Sequence, residues 1–159
     1  MSNLASSSHL PVLIAAMRAT YGDVLELGGG MFSTPLLHWL CAAQQRRLVT
    51  LETDPGYVSR LREFRAPWHE VRLVKSWEEA DIGWRWAVAF VDHAPALRRK
   101  EDIRRLADLA ELIVVHDTDD PVYRYGEVFP LFEHAWSNSL HPQTTVLSNA
   151  RDVGAMRWD

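Results

Sequence analysis

The chain has one cysteine, Cys41, among 159 residues. An internal disulfide is excluded, and so is a zinc cluster built from cysteines. Long apolar runs are missing as well: nothing approaches the ~20 consecutive residues of a membrane-spanning helix. Residues 1–8 are polar and lack the apolar centre of a secretory signal. Excess positive charge is also absent. Lys and Arg number 17 against 21 Asp and Glu, a formal net charge of -4, which argues against a nucleic-acid partner. No repeats, low-complexity segments or interdomain linkers interrupt the chain. The expectation is one soluble, cytoplasmic domain over residues 1–159, without membrane association.

Hydrophobic residues make up 47% of the chain and charged residues 24%, the balance of a globular protein. A domain of this length buries roughly 68–70% of its unfolded surface. Cys41 reads as a small buried thiol within a helix. The basic runs Arg98-Arg99-Lys100 and Arg104-Arg105 read as the solvated face of another helix.

The stretch that organises the rest is Val24-Leu25-Glu26-Leu27-Gly28-Gly29-Gly30-Met31-Phe32-Ser33-Thr34-Pro35. A short apolar run with one carboxylate predicts a buried strand. Three glycines follow, where the backbone can turn sharply and approach a ligand closely. Ser33 and Thr34 stand where a helix takes its N-cap, and Pro35 suits the first helical position. Strand, glycine turn and helix start form a nucleotide-type ligand site at the carboxyl edge of an α/β sheet.

Apolar spacing predicts a helix over 9–20, then strands at 24–27, 47–51, 70–74, 86–91 and 112–115. Helices are predicted after the glycine turn, after the Asp54 cap with Pro55 at its first position, and over 97–110. Ser76-Trp77-Glu78-Glu79 reads as a capping box leading a short helical turn. Residues 128–136 show a helical face. Residues 144–147 and 153–157 read as a closing antiparallel hairpin. Strands alternating with helices require a parallel sheet with right-handed crossovers, here ending in a reversed pair.

In this order the sequence resembles the class I S-adenosylmethionine-dependent methyltransferases, from Val24 to about Trp158. The resemblance rests on Glu26-Leu27-Gly28-Gly29-Gly30, on Glu52 closing strand two, and on Ser76-Trp77-Glu78 after strand three. Val91-Asp92-His93-Ala94-Pro95 after strand four, Val114-Val115-His116-Asp117-Thr118 after strand five and the closing hairpin complete it. It implies a three-layer α/β sandwich with a seven-stranded sheet, order 3-2-1-4-5-7-6. The sequence departs from the family at Phe32, where a third glycine is usual, and at Ala110-Glu111, where Gly-Gly is frequent. No Asn/Asp-Pro-Pro-Tyr/Phe motif follows strand four, so the likeness does not extend to the amino-methylating DNA enzymes.

The resemblance implies S-adenosyl-L-methionine as cofactor, held by Glu26, Gly28, Gly29, Gly30, Ser33, Thr34, Glu52, Thr53, Ser76, Trp77 and Asp92. Glu26 would face the methionine ammonium and Glu52 the ribose hydroxyls, against the simpler reading of Glu52 as a helix-leading acid. Trp77 is an adenine wall or a core residue, and Ser76 a cap or a ligand. Asp92, His93, His116 and Asp117 are the catalytic candidates at neighbouring strand ends. They could supply a general base, order the loop, or hold a divalent ion; the last ranks third and no metal ligand is assigned. The acceptor is expected to be small and hydroxyl- or amine-bearing, and a homodimer could complete its pocket. Two other readings stay open: a non-catalytic cofactor-binding module that needs a partner chain, and an NAD-dependent oxidoreductase, because Gly28, Gly30 and Ser33 loosely echo G-x-G-x-x-G.

Overall fold

A computed structural model describes residues 7–158. The first six residues of the polar N-terminal stretch lie outside the described residues. At the centre is a seven-stranded sheet in the order β3-β2-β1-β4-β5-β7-β6, as the resemblance implies. The strands are β1 (Val24–Leu27), β2 (Leu48–Glu52), β3 (His69–Leu73), β4 (Trp86–Val91), β5 (Ala110–Val115), β6 (His134–Ser137) and β7 (Thr145–Ser148). The first five run parallel, and β7 pairs antiparallel with both β5 and β6.

Four helices cover it: α1 (Leu10–Ala19), α2 (Ser33–Gln44), α3 (Pro55–Leu61) and α4 (Arg99–Leu106). Side chains alternate across each strand and so divide the core in two. Val24, Leu48, Val88, Phe90, Leu112 and Val114 pack against Leu13, Met17 and Leu37 of α1 and α2. Leu25, Leu27, Leu51, Val91, Ile113 and Val115 pack on the other face, against Ile103 and Leu106 of α4 and the coiled segments that carry Trp77, Ile82 and Val128. Both faces of β4 are therefore buried, which explains its unbroken apolar sequence.

Several expectations are corrected. The predicted helix over 128–136 does not form. Phe129–Leu131 makes one 3-10 turn with Pro130 inside it, and the chain then extends into β6. His134 and Trp136 are half-buried while Ala135 and Ser137 are exposed, so period two prevails over period 3.6. The closing hairpin exists, but β6 and β7 form it. Val153–Ala155 is a 3-10 turn whose cap, Asp152, accepts from the amides of Gly154 and Ala155. No helical turn follows Ser76; its hydroxyl accepts only a long 3.4 Å bond from Glu79 N. The helix predicted over 97–110 shortens to a 3-10 turn at Ala96–Arg98 followed by α4, and β5 begins at Ala110.

The arginines of α4 are not all solvated. Arg99, Asp102, Ile103 and Leu106 all point inward. Asp102 has no exposure. It accepts two bonds from Arg98, at 2.9 Å each, and one from Arg105 at 2.8 Å, and it lies 3.1 Å from His93 Nε2. Burial alone would raise its pKa, but His93 and the two guanidinium groups outweigh burial and bring it down to about 2. A depressed carboxyl stabilises the fold above its unfolded pKa and ceases to do so as pH falls through the folded value. Asp102→Asn is expected to cost about 3 kcal/mol at pH 7, because it removes the buried charge on which two half-buried guanidinium groups converge. That gap should narrow as pH drops from 4 towards 2 in denaturant titrations of both proteins.

Candidate functional site

The carboxyl ends of β1, β2 and β4 open onto a cleft of about 690 Å3, lined by His9, Gly28 to Ser33, Glu52 to Asp54, Tyr57 and Asp92 to Pro95. Its size is ordinary for a small-molecule site. A second cleft of about 650 Å3 lies at the opposite edge, around Asp23, Arg85 and Glu111, and holds none of the sequence-predicted residues.

The glycine turn forms the cleft's inner wall. Gly28 has φ +90, and a Cβ there would sit 2.6 Å from His93 Cα; strand ends β1 and β4 can meet this closely only without a side chain. A Cβ on Gly29 would strike Leu61 at 2.2 Å. The helix begins two residues earlier than its sequence signals suggest. Phe32 is the N-cap, and Ser33 and Thr34 lie inside α2. The Thr34 hydroxyl instead accepts from Gly30 N at 3.0 Å and donates to Glu26 Oε2 at 2.8 Å.

Glu52 stands at the end of β2, on the cleft wall. Its Oε2 accepts from Gly29 N at 3.2 Å, and its Oε1 from Thr53 N at 2.6 Å and Asp54 N at 2.9 Å. Backbone amides thus fix the carboxylate's direction. Asp54 caps α3, accepting from Gly56 N and Tyr57 N, so the local cap signal holds the whole turn in place.

Glu26 is fully buried. Thr34 and Thr50 both donate to Oε2, at 2.8 and 2.7 Å, while Oε1 has no hydrogen-bond partner. The Thr50 hydroxyl continues to His69 Nε2 at 2.9 Å, and His69 Nδ1 lies 3.0 Å from His38 Nδ1. A polar seam therefore crosses the α2 face of the sheet. Burial pushes the Glu26 carboxyl up to about 7, against the opposing hydroxyls of Ser33, Thr50 and Thr34.

The four catalytic candidates separate. Asp92, His116 and Asp117 converge, with His116 Nδ1 3.3 Å from Asp92 Oδ1 and 3.4 Å from Asp117 Oδ1. The His93 side chain points away, stacked on Trp77 at 4.1 Å and facing Asp102; only its main chain approaches the glycine turn. Trp77 is buried in the core and donates from Nε1 to Ala94 O at 2.6 Å. Neither Trp77 nor Ser76 lines the cleft. Asp117 begins the rim loop with φ 58, a left-handed conformation that aspartate tolerates better than most residues.

Two neighbours of the site escape the sequence reading. Arg99 is buried beneath the strand ends. It donates to His93 O, His116 O and Asp117 Oδ2, contacts Asp92 Oδ1 at 2.9 Å, and lies under the Tyr123 ring at 4.5 Å. Its signal was present, because Arg99, Ile103 and Leu106 share one helical face. His9 is the second. It precedes α1, is 2% exposed, and packs between Phe90 and His116, with neither ring nitrogen hydrogen-bonded among the described residues. Nothing in the sequence around it distinguishes His9. Burial, then His116, push its pKa down to about 4, against the pull of Asp92. For Asp92 burial is the largest influence and would raise the pKa; the His116 hydrogen bond and the charge of Arg99 outweigh it and hold the carboxyl below its ordinary value.

No family model matches the chain, and no curated protein matches it. Solved structures do share its fold. The Podospora anserina methyltransferase PaMTH1 bound to SAH gives a TM-score of 0.70 at 14% identity, over 93% of this chain and 79% of that one. Cofactor-bound Rv0187 from MTB gives 0.65 at 20% identity, over 95% and 82%. The DhpI–SAH complex gives 0.63 at 15% identity, over 93% and 87%. The chain therefore has the class I methyltransferase fold.

A raised carboxyl pKa stabilises the folded state at low pH and loses that contribution as pH rises through the folded value. Glu26→Gln removes the titration and keeps an acceptor for both threonines. Between pH 5 and pH 8 the wild type should lose up to about 3 kcal/mol relative to the variant, measured by urea unfolding of each at both pH values.

Proposed function

We propose that this single-domain chain binds S-adenosylmethionine in the cleft at the carboxyl edge of the sheet and transfers its methyl group to a small acceptor bearing a hydroxyl or amine. The observation that carries the reading is Glu52: a carboxylate pinned by three backbone amides at the end of β2, facing a cleft walled by a glycine turn. Oε2 accepts only the Gly29 amide and so keeps a lone pair to which a sugar hydroxyl can donate. Gly30 presents no side chain to the cleft; a Cβ there would meet only Ser33 Oγ, so the backbone can lie against a ligand. The residues present thus fit the cofactor. The reversed β7–β6 pair and the acid inside β1 weigh against a nicotinamide-dependent oxidoreductase.

When bound, the cofactor supplies an activated methyl on sulfur. The chain's own contribution is positional. Glu52, the glycine turn and Asp92 line the cleft, and His116 lies behind Asp92. There Asp92, backed by His116, can take a proton from a hydroxyl acceptor. The rim segment that follows, with Tyr123 donating to Asp117 Oδ2 at 3.0 Å, is placed to contact the acceptor.

Glu52→Ala is expected to weaken binding of S-adenosylhomocysteine at least tenfold in calorimetry, with the circular dichroism spectrum unchanged. An unaltered affinity would remove the ribose from this position. Transfer of a labelled methyl to a panel of hydroxylated and amino acceptors tests the activity. Asp92→Asn should slow a hydroxyl-directed transfer about 100-fold.

A further inference from the structure

The structure assigns His9, Asp92 and His116 a common role: we propose that they form a binding site for a borderline divalent transition-metal ion such as Zn2+ or Fe2+. One ligand-type atom of each lies within 4.8 Å of the others. The three come from separate elements, the start of α1, the end of β4 and the end of β5. The inference does not depend on cofactor binding, and its test is read without cofactor.

The argument starts from protons. Ser8 Oγ donates to Pro142 O at 2.7 Å and lies 3.1 Å from His116 Nε2. The single hydroxyl proton is committed to the carbonyl, so Nε2 must donate to Ser8 Oγ. That leaves the lone pair of His116 Nδ1 directed at Asp92 Oδ1, 3.3 Å away. Two acceptors facing one another at this distance need a cation between them. A proton is one choice and a metal ion the other. Donors bound to a zinc-like ion at 2.0–2.2 Å sit roughly 3.0–3.5 Å apart, which matches the His116–Asp92 separation of 3.3 Å; His9, within 4.8 Å, would move inward to complete the set.

His9 decides between them. Both its ring nitrogens are buried and have no hydrogen-bond partner among the described residues, which is costly for a polar group. The bond from His116 Nε2 to an oxygen is the outer-shell contact that orients a metal-bound imidazole. Arg99, 2.9 Å from Asp92, opposes a second cation, but Asp117 beside it restores an anion. The cluster holds two carboxylates against one guanidinium. Two imidazoles and one carboxylate favour a borderline ion over Mg2+ or Ca2+.

The test uses the tag-free full chain, stripped with chelator and titrated with Zn2+ by calorimetry and with Co2+ by visible absorption. One equivalent of each ion is expected. His9→Ala should weaken uptake at least tenfold and abolish the Co2+ spectrum, with the fold checked by circular dichroism. His9→Gln serves if the alanine variant does not fold. His141→Ala, on the exposed surface, should retain full uptake. No uptake by the wild type would leave a proton between His116 and Asp92 and overturn the proposal. So would uptake that the His9 variants leave unchanged, uptake lost instead with His141, or Mg2+ bound as tightly as Zn2+.

Discussion

The Arg99 guanidinium holds the carboxyl ends of β4 and β5 in their mutual arrangement. It is 6% exposed and touches two carboxylates, two carbonyls and a tyrosine ring. A cation this deep is tolerated only when its donors are matched. Conversely, Asp92 and Asp117 close adjoining strands, and without a cation between them they would repel. Each side of the arrangement therefore makes the other possible. The floor of the cleft and the first residues of the rim loop take their positions from this one group.

A second constraint acts at the other end of the cleft. The Gly28 backbone comes so near His93 that a methyl group would overlap it. The closeness brings the β1 and β4 ends together, and the neighbouring Gly29 amide then reaches Glu52. Three main-chain amides direct Glu52, joined by one long bond from the Thr53 hydroxyl at 3.4 Å. Its orientation is thus a property of the turn, set before any ligand arrives.

Much of this was legible in the residues. The strand–glycine–helix stretch, the Asp54–Pro55 cap and the apolar β4 each carry a strong local cause, and the sheet order follows from their succession. The failures share another origin. Residues 128–136 offered a helical face, but Pro130 and the antiparallel partner β7 outweighed it. Ser76 had a capping sequence without enough apolar sequence behind it to build a helix. Asp92, His116 and Asp117 converge because each follows the end of one of two neighbouring strands. His93, one residue after Asp92, has its side chain on the core side. Arg99 lay hidden in a basic run whose helical phase, rather than its charge, revealed its burial. His9 reaches the cleft only through the packing of α1 on the sheet, which no local pattern encodes.

The seam from Glu26 through Thr50 and His69 to His38 has an evolutionary consequence. Each member hydrogen-bonds its neighbour, so replacing one by an aliphatic residue orphans the next within the buried core. Neutral drift at these four positions is then confined to concerted exchanges, such as an all-apolar row or another complete set of donors and acceptors. Across related chains the four identities should change together or not at all, while the leucines and valines around them interchange freely.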